Sequence, residues 1–332
     1  MRRTLFLASS VARRLVALVV ALAAPLAVAP AALAQPGGEP IHLLVGFAAG
    51  GGTDLVARIV AEPLGKRLGT GIVVDNRPGA GGVVAMEELR RSRPDGRTLL
   101  FSATGTLVML PHIQRVPFDI EKDFSYIGTV TQYPLVIVVP ASLGPKTLAE
   151  FVAYAKKNPG KLSYSSAGIG TGNHFSGEVF KKETGVDLTH VPYKSDGAAL
   201  PDLLEGRIAM HMMNINLVMP HIRTGKLIAL AVTGPVRAPD LPNVPTVAEA
   251  GFPTVEQAPW TALLGPASMK PELVARIASA LTDTLADPEV KRRIGALGQD
   301  VVIHDPAETR RFVARESQRY KAIAESAKMM TE

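Results

Sequence analysis

The chain has 332 residues, of which 47% are hydrophobic and 20% are charged, with a formal net charge of +6 and no cysteine. Without cysteine the protein has no disulfide framework, no thiol nucleophile and no thiolate metal site. Its length is sufficient for one large domain or two medium-sized ones that are stabilised by an ordinary packed core.

The N-terminal segment, residues 1–34, has the features of a secretory signal peptide. It contains four arginines and no acidic residue, an apolar stretch over 15–28, and a final Ala32-Leu33-Ala34 of the small-x-small type that signal peptidase recognises. An N-terminal membrane anchor is the alternative, but two prolines stand in or just after the apolar stretch. We therefore expect cleavage before Gln35 and a periplasmic location, and the sequence leaves open whether export uses the general or the twin-arginine route.

Removal of this segment changes the charge balance. Without its four arginines the mature chain has 32 basic and 30 acidic residues, a balance of +2. Such a balance gives no electrostatic reason to bind nucleic acid, and no basic stripe alternates with aromatic residues. No later apolar run is long enough to span a membrane, so we expect a mature protein that does not cross one.

From residue 41 onward, short apolar strands alternate with helices in the sequence pattern. The predicted strands are 41–45, 71–75, 98–102, 124–131, 135–139, 162–166, 188–191, 208–214, 227–233 and 260–264. The predicted helices are 55–68, 83–91, 147–157, 175–183, 198–205, 246–251, 271–286, 288–296 and 306–328. Strands separated by helices predict a parallel α/β sheet, in which ligands lie beyond the carboxyl ends of the strands.

Glycine-rich turns follow several of the predicted strands. The first, Gly46-Phe-Ala-Ala-Gly-Gly-Gly-Thr-Asp54, joins the strand 41–45 to a helix. Its glycines let backbone N–H groups point outward, and the helix N-terminus adds partial positive charge, so the turn suits an anion. A plain strand-to-helix turn with Asp54 as the N-cap is the alternative. Similar turns occupy 76–82 and 103–106, and the same order of strand, glycine-rich turn and helix recurs at 162–183.

The usual motifs of nucleotide binding and catalysis are absent from the sequence. Gly51-Gly52-Thr53 lacks the lysine of a phosphate-binding Walker loop, and no glycine cluster has the spacing of a dinucleotide site. There is no Gly-x-Ser-x-Gly or His-Glu-x-x-His motif, and the seven histidines lack metal-ligand spacing. Asp54 is a poor general base because a helix N-terminus lowers the pKa of an acid. Turns that hold an anion without groups to transform it predict a binding protein rather than an enzyme, with no cofactor and no metal.

Six motifs in order along the mature chain carry a family resemblance. They are FAAGGGTDLVAR at 47–58, VDNRPGAGG at 74–82, SSAGIGTGNH at 165–174, HVPYK at 190–194, GKLIALAVT at 225–233 and LPNVPTVAEAG at 241–251. This ordered set resembles the periplasmic solute-binding proteins of tripartite tricarboxylate transporters, often called the Bug family. The resemblance covers essentially all of the mature chain.

The resemblance implies an α/β fold of the two-lobed periplasmic-binding-protein kind, a type II-like Venus flytrap with two chain crossings. The strand pattern places the crossings near 138–141 and 258–261, with lobe 1 formed by 38–138 plus 262–332 and lobe 2 by 139–261. The implied function is capture of a small mono-, di- or tricarboxylate between the lobes, and delivery by a monomer to the membrane subunits of the transporter. A receptor that serves a sensor, or an enzyme acting on a carboxylated metabolite, remains as an alternative.

The resemblance also implies which residues contact the ligand. The family holds one ligand carboxylate mainly with backbone amides and small hydroxyl groups. The expected ligand-binding residues are Gly51, Gly52, Thr53, Asp54, Thr104, Thr106, Gly170, Thr171, Asn173, His174 and Tyr193. For Asp54 the alternative is a cap that orders the loop, and for His174 it is a capping or packed histidine.

Two positions depart from the family pattern. Ser195-Asp196-Gly197-Ala198 stands where the family usually has a glycine and a later Gly-Pro, and Asn214 stands where many relatives have an acid. Asp196 faces either solvent or the cleft, where it could receive a cationic group such as an amine. The chemistry at the far end of the ligand therefore stays open.

Overall fold

The described part of the protein is residues 39–326 and residue 329 of a computed structural model. The predicted signal peptide lies outside these residues. Residues 39–326 lie in one compact unit. Among the described helices, none combines the length and the apolar character needed to cross a membrane.

The described chain alternates strands and helices as predicted. The strands are β1 (Ile41–Val45), β2 (Ile72–Asn76), β3 (Thr98–Ala103), β4 (Phe124–Gln132), β5 (Leu135–Pro140), β6 (Leu162–Ser166), β7 (Leu188–Pro192), β8 (Met210–Asn214), β9 (Leu227–Val232), β10 (Trp260–Pro266) and β11 (Asp300–Val301). The helices are α1 (Gly52–Leu68), α2 (Val83–Arg91), α3 (Leu148–Lys157), α4 (Gly172–Thr184), α5 (Asp196–Leu204), α6 (Ile215–Arg223), α7 (Pro271–Ala286), α8 (Pro288–Gly295) and α9 (Pro306–Ser326).

The strands form two sheets, one in each lobe. The first sheet has the order β11-β4-β10-β3-β1-β2 and the second the order β7-β6-β8-β5-β9. Both sheets are mixed, because β10 runs antiparallel to β3 and β4, and β5 runs antiparallel to β8 and β9. The prediction of a parallel sheet was therefore wrong for these strands. The physical reason is that the chain enters β5 and β10 directly from the other lobe, without the helical crossover that keeps neighbouring strands parallel.

Two crossings join the lobes, and they are hydrogen-bonded to each other. The chain leaves the first sheet at the end of β4 and enters the second at Leu135, the first residue of β5. The N–H of Tyr133 donates to the carbonyl of Pro259, just before β10, over 2.9 Å. The first crossing thus precedes the predicted 138–141, because an apolar strand such as β5 suits either sheet equally well. The position of the second crossing, at 258–261, and the assignment of the remaining residues to lobes stay predictions.

Each sheet is packed between helices on both faces. Leu43 of β1 belongs to the apolar cluster that contains Val56 of α1 and Leu281 of α7. Its neighbour Leu44 belongs to the cluster on the opposite face, with Leu89 of α2. Because both faces are covered, a central strand such as β5 is a continuous apolar run rather than an alternating one.

Between β8 and β10 the structure differs from the sequence prediction in two places. Helix α6 was not predicted, because its short apolar segment follows β8 directly and contains Pro220. The helix predicted at 246–251 is only a turn. Its capping pair is present, since the N–H of Thr246 donates to Glu249 and the N–H of Glu249 donates to Thr246. However, the N–H of Val247 bonds Val232 at the end of β9, which holds this segment against the sheet.

Candidate functional site

The candidate site is the cleft between the carboxyl ends of strands in the two sheets. Gly105, which follows β3, lies so close to the turn before α4 that a Cβ on it would be 2.7 Å from the Gly170 carbonyl oxygen. At the other side of the cleft, Nδ2 of Asn216 at the start of α6 donates to the carbonyl of Ala296 over 2.8 Å. The two lobes therefore contact each other at two places, one near Gly105 and one near Asn216, and the glycine-rich turns lie along the same edges of the sheets.

The N-terminus of α1 is an uncapped helix end at this edge. Gly51 is the N-cap with extended backbone angles, and among the described residues no side chain hydrogen-bonds the first amides of the helix from that position. Gly51 and Gly52 are exposed and Thr53 is half-buried. The N–H of Gly51 itself donates to the carbonyl of Ala48 over 3.4 Å, so the amides offered to an anion are those at the start of the helix, from Gly52 onward. Together with the partial positive charge of the helix end, they make this turn suitable for a carboxylate. This geometry favours the anion site over the plain capped turn.

Asp54 orders this loop from behind and is not its N-cap. Its side chain is 2% exposed, and its carboxylate accepts hydrogen bonds from the N–H of Gly50 at 2.9 Å, Nε of Arg58 at 3.1 Å and Nδ2 of Asn76 at 2.9 Å. Burial raises the pKa of Asp54, but the hydrogen bonds from Arg58, Gly50 and Asn76 outweigh burial and hold the pKa below its usual value. A contact with ligand is thus open to the backbone of Asp54 rather than to its carboxylate.

Gln299 adds a side-chain donor beside this turn that the sequence did not reveal. Its Oε1 accepts from the Thr131 hydroxyl over 2.7 Å, and Thr131 is in turn bonded to the Thr261 hydroxyl over 2.7 Å. These bonds orient the carboxamide so that Nε2 lies 3.4 Å from the position of a Cβ on Gly52. Nothing in the local sequence marks Gln299, because only the pairing of β11 with β4 brings it to the site.

Thr104 and Thr106 fix the turn after β3 and have little free hydroxyl capacity. The Thr104 hydroxyl donates to the carbonyl of Trp260 over 2.7 Å and accepts from its N–H over 2.6 Å. The Thr106 hydroxyl donates to the carbonyl of Gly81 over 2.6 Å. Both side chains are buried. These bonds give both hydroxyls a positioning role in the turn, and their predicted contact with the ligand stays a prediction.

We expect Thr104→Val to destabilise the protein by about 2 kcal/mol, because valine keeps the shape but removes a buried hydroxyl with two main-chain partners. Chemical denaturation measures this loss as a lower midpoint. Thr189→Val, an exposed position on β7, is the control and should stay within about 0.5 kcal/mol of the unaltered protein. Equal stability of Thr104→Val would show that the bridge from β3 to β10 contributes nothing.

The turn before α4 repeats the arrangement in the second lobe, with more side-chain bonds. Thr171 is the N-cap residue with extended backbone angles, and its hydroxyl donates to the carbonyl of Gly168 over 2.6 Å. Oδ1 of Asn173 lies 2.6 Å from the same hydroxyl, whose single proton it shares with the Gly168 carbonyl, and it accepts from the N–H of Ala167 over 3.3 Å. These bonds stiffen the turn that carries Gly170, so its backbone is held in place against the first lobe.

His174 is a packed histidine that caps this turn. Its Nδ1 accepts from the N–H of Gly170 over 3.2 Å, and its ring lies on that of His190 with the ring centres 4.2 Å apart. Burial lowers the pKa of His174, and burial followed by the neighbouring His174 lowers the pKa of His190 to about 4. Both rings are therefore uncharged at neutral pH and supply no cation for a ligand.

Tyr193 and Asn214 lie at the same edge of the second sheet, each with a partner in its own lobe. The Tyr193 hydroxyl donates to the carboxylate of Asp202 on α5, so it is not free to donate to a ligand. Oδ1 of Asn214 accepts from the N–H of Asn216 over 3.0 Å and caps α6. A cleft-lining role for the Tyr193 ring and a specificity role for Asn214 stay predictions.

One cluster has the residue types of a hydrolase triad, but its serine cannot be reached. The Ser165 hydroxyl and Nδ1 of His211 are 2.6 Å apart, and Nε2 of His211 lies 3.1 Å from Oδ1 of Asp196. Ser165 and His211 are both 0% exposed, so no substrate can approach the hydroxyl. Within the described residues, no group of three His, Asp or Glu side chains is placed to hold a metal ion.

Comparisons with known proteins agree with the fold and with the lack of catalytic groups. A family model described as "Tripartite tricarboxylate transporter family receptor" matches residues 56–329. Protein BugT of Bordetella pertussis is 34% identical over 287 residues, which are 86% of this chain and 88% of BugT. The solved periplasmic binding protein BugD has a TM-score of 0.80 at 31% identity, covering 88% of this chain and 99% of that chain. Rpa4515 of R. palustris, solved with adipate, has a TM-score of 0.81 at 31% identity, covering 87% of this chain and 97% of that chain.

These similarities confirm the predicted α/β fold of a two-lobed periplasmic binding protein, and they are to binding proteins rather than to enzymes. They also confirm the resemblance drawn from the ordered motifs. The chain belongs to the tripartite tricarboxylate transporter family of receptors.

Proposed function

We propose that the protein captures a small carboxylate in the cleft and delivers it, in the periplasm, to the membrane subunits of a tripartite tricarboxylate transporter. The observation that carries the proposal is the uncapped N-terminus of α1, whose exposed glycine amides lie at the edge that meets the turn before α4. The relative solved with adipate supports a carboxylate as the ligand.

The chemistry of the turns favours a carboxylate over a neutral solute. Hydrogen bonds from backbone N–H groups to a carboxylate are charge-assisted, and each contributes roughly 1.5–3 kcal/mol. The Nε2 group of Gln299, beside Gly52, can add one more donor. The positive end of the α1 dipole supplies the charge complement, so no lysine or arginine has to contact the ligand directly.

The two crossings provide a hinge that couples binding to closure. The segments around Tyr133 and Pro259 are hydrogen-bonded to each other, so they can bend together while each sheet stays rigid. A ligand held by turns of both lobes stabilises the closed arrangement, because only that arrangement lets both turns contact it. Closure gives the membrane subunits a surface that differs between the loaded and the empty receptor.

Calorimetry of the chain from Gln35 onward, against mono-, di- and tricarboxylates, tests the proposal. Each carboxylate is paired with its amide analogue, which has the same shape and no charge. We expect at least one carboxylate to bind, and its amide to bind at least about 100-fold more weakly because it loses charge-assisted hydrogen bonds. If well-folded protein binds none of the carboxylates, the proposed ligand class is wrong. Uptake of the identified ligand by cells with and without the receptor tests delivery.

A further inference from the structure

Asp196 is a carboxylate at the edge of the second sheet that faces the first lobe. It is the first residue of α5, and the hydroxyl of Ser195 caps the helix by accepting from the N–H of Ala198. Because β7 and β6 are parallel, α5 begins at the same edge as the turn before α4, which touches Gly105 of the first lobe. The Asp196 side chain is 28% exposed, so it is neither buried in the lobe nor free in solvent.

The bonds made by Asp196 leave one of its oxygens available. Nδ2 of Asn173 and Nε2 of His211 both bond Oδ1 of Asp196, the second over 3.1 Å. Oδ2 makes no hydrogen bond to any described residue. The two donors are themselves oriented, since Oδ1 of Asn173 accepts from Thr171 and Nδ1 of His211 bonds Ser165. A fixed carboxylate with a free acceptor oxygen is thus placed beside the predicted ligand turn.

The charge of Asp196 is not neutralised by a strong base. No described lysine or arginine forms an ion pair with it, and its one basic partner is His211. The charge also acts on Tyr133 at the first crossing. Burial is the main reason why the pKa of the Tyr133 hydroxyl is raised, and the negative charge of Asp196 raises it further. Asp196 therefore keeps a charge without a lysine or arginine partner among the described residues, within electrostatic reach of the first crossing.

We propose that Oδ2 of Asp196 binds the far end of the ligand and selects a carboxylate that carries an ammonium group. This inference rests on the proposed carboxylate seat at α1. An ammonium group would donate to Oδ2 and complement its charge, whereas a second carboxylate would meet an unpaired negative charge with no donor to satisfy it. Opposite charges within a few ångströms attract and like charges repel most strongly where water is excluded, as in a closed cleft.

The test compares ligands of matched length in the unaltered protein and in Asp196→Asn. The probes are ω-amino carboxylates, ω-hydroxy carboxylates and dicarboxylates with the same number of methylene groups, together with the standard amino acids, each measured by calorimetry. In the unaltered protein we expect the tightest amino carboxylate to bind at least roughly tenfold more tightly than the dicarboxylate of its length. Asp196→Asn should lower this ratio by roughly tenfold or more, because the carboxamide keeps the shape and loses the charge.

Asp187→Asn, an exposed acid before β7, is the matched control and should leave the ratio unchanged. The inference is overturned if the unaltered protein prefers the dicarboxylate of matched length. It is also overturned if Asp196→Asn weakens all probes by the same factor, which is the result of a purely structural role through Asn173. Failure of every carboxylate to bind would instead contradict the proposed function, so the two failures are distinguishable.

Discussion

Replacing Gly52 by valine is expected to abolish carboxylate binding while the protein stays folded. Gly52 is the exposed first residue of α1, and its backbone is not in the left-handed region. A Cβ there points towards Nε2 of Gln299 at 3.4 Å. The branched side chain of valine would cover the amides of the turn and displace the carboxamide. We expect affinity to fall at least about 100-fold, equivalent to about 3 kcal/mol.

Calorimetry and thermal melting, carried out on the same samples, separate loss of binding from loss of structure. Gly71→Val is the matched control, because a Cβ on Gly71 meets no atom within 4 Å and its backbone is also outside the left-handed region. It should bind the ligand normally. Normal affinity in Gly52→Val would mean that the turn before α1 is not the carboxylate seat.

Replacing Gly105 by valine is expected to prevent closure of the lobes. A Cβ on Gly105 would lie 2.7 Å from the carbonyl oxygen of Gly170 and 3.2 Å from the nitrogen of Gly172. Real side chains do not approach backbone atoms to the first of these distances, so the turn before α4 would have to move away. All of the nearest atoms belong to the opposite lobe, and each lobe should therefore keep its own fold. We expect ligand affinity to fall by about tenfold to 100-fold, since the two turns can no longer hold one ligand together.

Small-angle scattering with and without ligand measures closure directly. The unaltered protein and Gly71→Val should become more compact when ligand is added, and Gly105→Val should not. Equal compaction and equal affinity in Gly105→Val would show that the contact between Gly105 and the turn before α4 is not part of the closed state.

Local sequence patterns predicted those elements whose stability is local. The N-cap bond from the N–H of Glu150 to the Thr147 hydroxyl and the N-cap role of Asp287 are both present. The glycine-rich turn before α1 was also recognised, and in it Gly50 has the positive φ of 83° that favours glycine. What the pattern left undecided was whether Asp54 caps the helix, and the structure answers this by placing Asp54 inside the first turn.

The remaining parts of the site depend on contacts between residues that are distant in sequence. Gln299 reaches the seat only because β11 pairs with β4. The sequence did not show that the Thr104 hydroxyl is already hydrogen-bonded, because its partner, Trp260, is 156 residues away along the chain. The sheet to which β5 belongs was likewise not predictable, since the sequence of a fully apolar strand does not indicate which strands pair with it. Asp196 was visible in the sequence, but only the structure shows that Asn173 and His211 orient its carboxylate beside the turn before α4.

The most direct test of the carboxylate cleft is a titration followed by NMR of protein labelled with ¹⁵N-glycine. The chain has 30 glycines, and glycine amides lie in both turns, at Gly51 and Gly52 in the first and at Gly170 and Gly172 in the second. Gly225, at the opposite end of the second sheet beside β9, is the internal reference. We predict that a bound carboxylate shifts the amide signals of both turns and leaves Gly225 unchanged. Binding with unshifted signals at both turns would contradict the proposed site.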